Sequence, residues 1–215
     1  MVHAGHMSED LHVQGEEQVA TNGAGPHPGD MSDKAGLELL NAARERLPEG
    51  VKGEIIDGVL YVSPNGAVPH SRAMYRLGAL LGPFDLGIGG LGGWVFLVEP
   101  NLHLGEDRLE PDLAGWRRER MPELPSDVGV TLAPDWVCEV LSPSTVKLDR
   151  TLKMEVYARE GVKHYWLVNP RRYTLEVYRL EGSGWTRLGV YEGDAEVRAE
   201  PFEELALKLA LLWEL

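Results

Sequence analysis

The segment Trp136-Val137-Cys138-Glu139-Val140-Leu141 restricts the fold more than any other part of the chain. Apolar residues occupy both of its alternating faces, so in a sheet it has to be a central strand covered on both sides. Glu139 sits in its middle, where an ionised carboxylate is costly unless it is paired, hydrogen-bonded or bound to a cation. The flanking pattern supplies the covering layers. An amphipathic helix is expected over residues 37–47, closed by Pro48 and Gly50, and a hairpin over 54–62 with Asp57-Gly58 as its turn. A helix over 70–84 follows, then strands over 94–98, 101–104, 112–116 and 136–141. A helix over 148–160, a buried strand over 165–168 and a hairpin over 175–180 and 185–191 complete the series. This order predicts an α/β (α+β) layer fold, a central mixed sheet flanked by helices.

Composition limits what such a fold can be used for. At 215 residues and 43% hydrophobic, the chain can fill one domain core. The formal net charge is −13, which argues against a protein that coats duplex DNA through a broad basic face. Residues 1–36 carry six acids and one base, are Gly-rich and lack apolar periodicity, so they read as a disordered acidic extension. The remaining body, residues 37–215, still carries −8 and reads as one folded domain. His3, His6, His12 and His27 in the extension have no fixed spacing on a folded element and do not read as a metal tract. Met31, just ahead of the first helix, stands as an alternative native start. A lone Cys138 excludes an intrachain disulfide framework and a cysteine-rich zinc site. With no run near the ~18 apolar residues of a membrane span and no signal peptide, the chain reads as a reduced, cytoplasmic protein with no membrane partner.

Several polar residues stand where chemistry is expected. Asp112 follows Pro111 and opens its strand, at a sheet end. Beside Glu139, it would offer the oxygen ligands that a hard divalent cation takes. The plain alternative for Glu139 is an ion pair with an arginine, and for Asp112 ordinary turn chemistry. Glu54 is a third acid, ahead of Ile55-Ile56. Asp149, Lys153, Tyr157 and Glu160 recur at spacings of three and four and share one helix face. The turn through Ser142 could cap that helix or offer backbone N–H groups to a phosphate. Arg117, Arg118 and Arg120 form either another candidate phosphate lip or a solvated loop, and His70 either a candidate ligand or proton shuttle or a structural hydrogen bond at the helix N-terminus. His103 and His164 have no identifiable partner in the sequence.

Gly53-Glu54-Ile55-Ile56-Asp57-Gly58, His70, Pro111-Asp112, Pro134-Asp135, Glu139 through Ser144, Asp149, Lys153, Tyr157, Gly161-Val162 and Tyr165-Trp166 occur in that order. The set resembles the Uma-type family of restriction endonuclease-like proteins, in the PD-(D/E)XK nuclease superfamily, over roughly residues 37–212. The resemblance implies a restriction-endonuclease-like core whose acids lie on adjacent strands. Asp112 resembles the PD aspartate, Glu139 the (D/E) acid and Glu54 the upstream acid. The superfamily's lysine position, two residues after the acid, is Leu141 here, and Lys153 is the natural substitute.

The resemblance further implies Mg²⁺ or Mn²⁺ held by Asp112, Glu139 and the Val140 carbonyl, with Lys153 orienting water. DNA is then the expected substrate, and Tyr157, His70, Ser142, Arg117 and Arg118 are candidate substrate contacts. A homodimer is also implied, with the apolar segment 205–212 as one surface for self-association. The competing readings are a catalytically weak or inactive nuclease-fold module for binding or dimerisation, and a metal-dependent hydrolase of small phosphoesters.

Overall fold

The computed structural model describes residues 33–214. The chain runs α1 (Asp33–Arg44), β1 (Val51–Ile56), β2 (Val59–Pro64), α2 (Val68–Leu86), β3 (Trp94–Val98), β4 (Leu102–Leu104), β5 (Asp107–Leu109) and β6 (Leu113–Arg117). It continues through β7 (Trp136–Val140), α3 (Val146–Asp149), α4 (Leu152–Arg159), β8 (His164–Asn169), β9 (Thr174–Glu181) and β10 (Gly184–Glu192). A short ribbon of β11 (Glu196–Val197) and β12 (Leu207–Lys208) precedes α5 (Ala210–Trp213). The mixed α/β fold expected from the pattern is the one observed.

The central sheet has the order β10-β9-β8-β7-β6-β3, and only β7 and β8 pair in parallel. A parallel pair needs a crossover, and α3 and α4 make it. The crossover lies over one face of the sheet, together with a second, four-stranded antiparallel sheet of order β2-β1-β5-β4. Helix α2 and the C-terminal ribbon cover the opposite face. Side chains alternate along β7 accordingly. Trp136, Cys138 and Val140 enter the core under α2, while Val137 and Leu141 enter the one under α4. Glu139 shares the parity of Val137, which aims it at the crossover.

Phe202 anchors the core under α2. Its ring lies 4.9 Å from Trp94, 5.0 Å from Phe84 and 5.3 Å from Trp136. These tilted and edge-on arrangements suit the ring quadrupoles. Phe202→Ala leaves a cavity among fixed aromatics and is expected to cost about 3–5 kcal/mol. Urea denaturation measures it, and a loss below about 1 kcal/mol would mean the cluster repacks.

Four sequence expectations are corrected. The first helix begins at Asp33, inside the stretch expected to be disordered; the rest of that extension, with its four histidines and Met31, lies outside the described residues. The single helix expected over 148–160 is two, because Thr151 takes non-helical angles (φ −130°, ψ −96°) and its hydroxyl donates to the Lys147 carbonyl at the break. β5 went unrecognised, since a three-residue strand is too short for periodicity to register. Finally, Leu207, Leu209 and Leu212 of the apolar segment 205–212 are buried in the chain's own core. The apolar surface of that segment is thereby reduced chiefly to the exposed Leu211 and the half-buried Leu205.

His164 does have a neighbour: its Nδ1 lies 3.8 Å from Glu200 but makes no hydrogen bond. Burial lowers its pKa from 6.5 to about 4. The unfolded chain therefore takes up this proton first as pH falls. The stability involved is intact above about pH 6.5 and is lost towards pH 4. Allowing for partial exposure, it amounts to about 2 kcal/mol. His164→Gln is expected to lose that much less stability than wild type between neutral pH and about pH 4 in urea denaturation. Equal losses would contradict the assignment.

Candidate active site

The register Leu113↔Cys138 sets Asp112 beside Glu139 at one end of the central sheet. Asp112 shares the parity of Ala114, whose side chain enters the core under α4, so both carboxylates face the crossover helices. Pro111 ends the possibility of an earlier ladder bond, and the Asp112 side chain substitutes for the missing strand. Its Oδ2 accepts the Val140 N–H at 2.6 Å. Backbone N–H and C=O of one strand residue point to the same neighbour, so the Val140 carbonyl belongs to that side as well.

Lys153 is the centre of the arrangement. Its Nζ lies 2.7 Å from Glu139, 3.1 Å from Glu54 and 3.3 Å from Asp149. It comes from α4, directly over Glu139. Glu54 reaches it from β1 in the second sheet, held by the Glu110 N–H at 2.8 Å. Asp149 comes from α3, whose end is pinned by the Tyr165 hydroxyl donating to the Asp149 carbonyl. The Tyr157 hydroxyl, one turn beyond Lys153, donates to Glu139 Oε1 at 3.0 Å. Among the described residues, both partners of Glu139 fall on that one oxygen.

His70, in the first turn of α2, lies 3.1 Å from Asp112 Oδ2. Gly66 is needed for this, because a Cβ there would sit 2.3 Å from the imidazole. Ser142 hydrogen-bonds Thr145 and Ser144 and lines the same pocket. Arg117 and Arg118 are not brought to the site. They lie five and six residues along β6 from Asp112, about 16 Å or more at ~3.3 Å per residue, at the other end of the sheet. Arg117 stacks over Trp94, and Arg118 bonds Asp85 and the Trp94 carbonyl. The chain direction of β6 separates them from the acids that precede it so closely in sequence.

Sequence reasoning missed Lys52, whose Nζ lies 3.7 Å from Asp112. A signal was present: Lys52 and Glu54 are two apart on one strand and must share a face.

The electrostatics follow from burial. Glu54, Asp112, Glu139, Asp149 and Lys153 are each at most 5% exposed. Burial alone would lower the Lys153 pKa, but Glu139, Glu54 and Asp149 overcome it and hold the ammonium charged. Burial raises Glu139 well above the carboxylate range, against the pull of Lys153. Asp149 is raised to about 6, again chiefly by burial. Asp112 differs: burial is outweighed by the His70 hydrogen bond and the Lys52 ammonium, and its carboxyl stays below its usual value.

Five acidic side chains, the exposed Glu99 among them, thus face two ammonium groups around a cavity of about 30 Å³, room for one or two waters. Asp149 Oδ1 is buried without a hydrogen bond, since it lies off the direction of the nearby ammonium. Excess negative charge, oxygen donors and an orphaned oxygen suit a hard divalent cation. Among the described residues, no three His, Cys, Asp or Glu side chains already form a cage, because the acids converge on Lys153. The fit is therefore one of charge and donor type.

The fold has a counterpart among solved structures. A crystal structure from Anabaena variabilis, described as "a putative nuclease belonging to DUF820", superposes with a TM-score of 0.65 at 23% identity, covering 81% of this chain and 96% of that one. It has the same fold. No curated protein matches the sequence. Residues 39–211, nearly the whole described chain, match the Uma2 family, described as "Putative restriction endonuclease", and the protein belongs to that family.

Proposed function

We propose that the protein is a Mg²⁺- or Mn²⁺-dependent nuclease that hydrolyses phosphodiester bonds of DNA. The observation that carries this reading is the placement of Lys153 Nζ 2.7 Å from Glu139, on the strand next to Asp112. The lysine vacated from position 141 is made good from a different element.

Asp112, Glu139 and the Val140 carbonyl are the residues that would hold the cation, which when bound neutralises phosphate charge and acidifies water. Lys153 presents a fixed ammonium to charge developing at the phosphate, already desolvated and so needing no reorganisation. Tyr157 holds Glu139 in one rotamer and His70 does the same for Asp112. Glu54 and Asp149 keep Lys153 protonated and aimed.

Isothermal calorimetry with Mn²⁺ and plasmid nicking test the reading together. Wild type is expected to bind Mn²⁺ and nick; Asp112→Ala with Glu139→Ala is expected to do neither. No binding by wild type, or equal binding by the double variant, would leave a nuclease-fold module without this chemistry.

A further inference from the structure

A second cavity, about 500 Å³, opens beside the acidic pocket and shares Glu54, Ser63 and Thr145 with it. It is a groove between β2 and the α3–α4 crossover, and its two sides differ in character. Tyr61, Leu148 and Leu152 are half-buried and provide an apolar wall. Ser144, Thr151 and the exposed Lys147 make a rim of hydroxyls and one ammonium.

We infer that this groove is a subsite for one nucleotide of a single strand, the one adjoining the phosphate held at Asp112, Glu139 and Lys153. The inference rests on the nuclease reading for its substrate class. A volume of about 500 Å³ is within the ~300–1,000 Å³ usual for small-ligand pockets and takes a nucleotide unit rather than a duplex. The base lies against Tyr61 and the two leucines, because every base has a π-face that an aromatic ring can stack on without reading sequence. The next phosphate meets Lys147, and the sugar faces the hydroxyl rim. Charge favours a single strand too. A duplex is held chiefly by neutralising many phosphates, and a body carrying −8 offers no broad face for that.

The crossover supplies one wall of the subsite. Lys147 and Thr151, and likewise Leu148 and Leu152, are four residues apart and stand on one side of it. The end of α3 and the start of α4 therefore both border the groove.

The test is fluorescence anisotropy of the full-length protein in EDTA, with labelled oligothymidylate, oligouridylate and a short DNA duplex as probes. Wild type is expected to bind the single strands more tightly than the duplex at equal salt. Tyr61→Ala is expected to weaken single-strand binding about 10-fold, while Tyr61→Phe retains it. Lys147→Glu lies on the exposed rim, where the fold tolerates it, and is expected to weaken all single strands alike with a shallower salt dependence. The oligouridylate arm distinguishes an RNA strand from a DNA strand in the same groove. Equal affinity for duplex and strand, or an unchanged affinity in Lys147→Glu, would overturn the inference. Mn²⁺-dependent cleavage by the wild type is read separately. If cleavage is absent while the probe pattern holds, the nuclease reading falls and the groove stands as a strand-binding site. If cleavage is present without the pattern, the subsite alone falls.

Discussion

Lys153→Met is expected to abolish Mn²⁺-dependent nicking, by at least about 10²–10³-fold, and also to destabilise the fold. The ammonium is the shared counter-ion of Glu54, Glu139 and Asp149. Removing one partner from a buried ionic group costs about 3–5 kcal/mol, because the others remain desolvated without compensation. The cost is expected to depend on pH. Once the ammonium is gone, Glu139 and Asp149 rise further in pKa, so the folded state binds protons that the unfolded state has released. Stability then falls as pH rises and recovers in mildly acid solution. Urea denaturation on both sides of neutrality checks the sign. Nicking at the wild-type rate would remove the lysine from the mechanism.

Glu139→Gln is expected to cause a comparable loss of activity, about 10²–10³-fold, with the opposite effect on stability. The amide oxygen can still accept from Tyr157 and Lys153 on the side where Glu139 already takes both. What disappears is a carboxylate whose pKa burial has raised well above its usual value, and which therefore costs free energy to ionise at neutral pH. The variant should be as stable as wild type or more so, by about 1 kcal/mol. In the double variant with Lys153→Met, the lysine substitution should cost less than it does alone, since one of the stranded charges is gone. A Glu139→Gln protein that unfolds would mean that this carboxylate supports the fold instead of burdening it. The two substitutions together separate chemistry from stability, because both remove the first while they move the second in opposite directions.

The extent to which the site could be read from sequence depended on whether the relevant distances lie along one element. Asp112 and Glu139 were legible because a strand-opening acid after proline and an acid inside an apolar strand are each anomalous in their local context. Asp149 and Lys153 were legible as a pair four residues apart, although the helix expected to carry both is broken between them. Lys52 was overlooked because a lysine near the start of an edge hairpin is unremarkable until the second sheet folds it over Asp112. Arg117 and Arg118 misled for the converse reason. Closeness in sequence to Asp112 suggested closeness in space, and an extended strand carries the chain away as fast as it can.

Alternation, helical spacing and turn residues determined by themselves the longer strands and helices, though not β5 or the break at Thr151, and also that β7 is covered on both faces and that its glutamate requires a partner. Those are local consequences of covalent geometry and of the cost of burying charge. Which partner Glu139 meets was decided only by the assembled layers. The crossover passes over one face of a sheet whose strands run in both directions, so residues 54, 112, 139 and 153 reach a common point from four different elements. No pattern within a single element records a contact of that kind, because it arises from packing and not from sequence spacing.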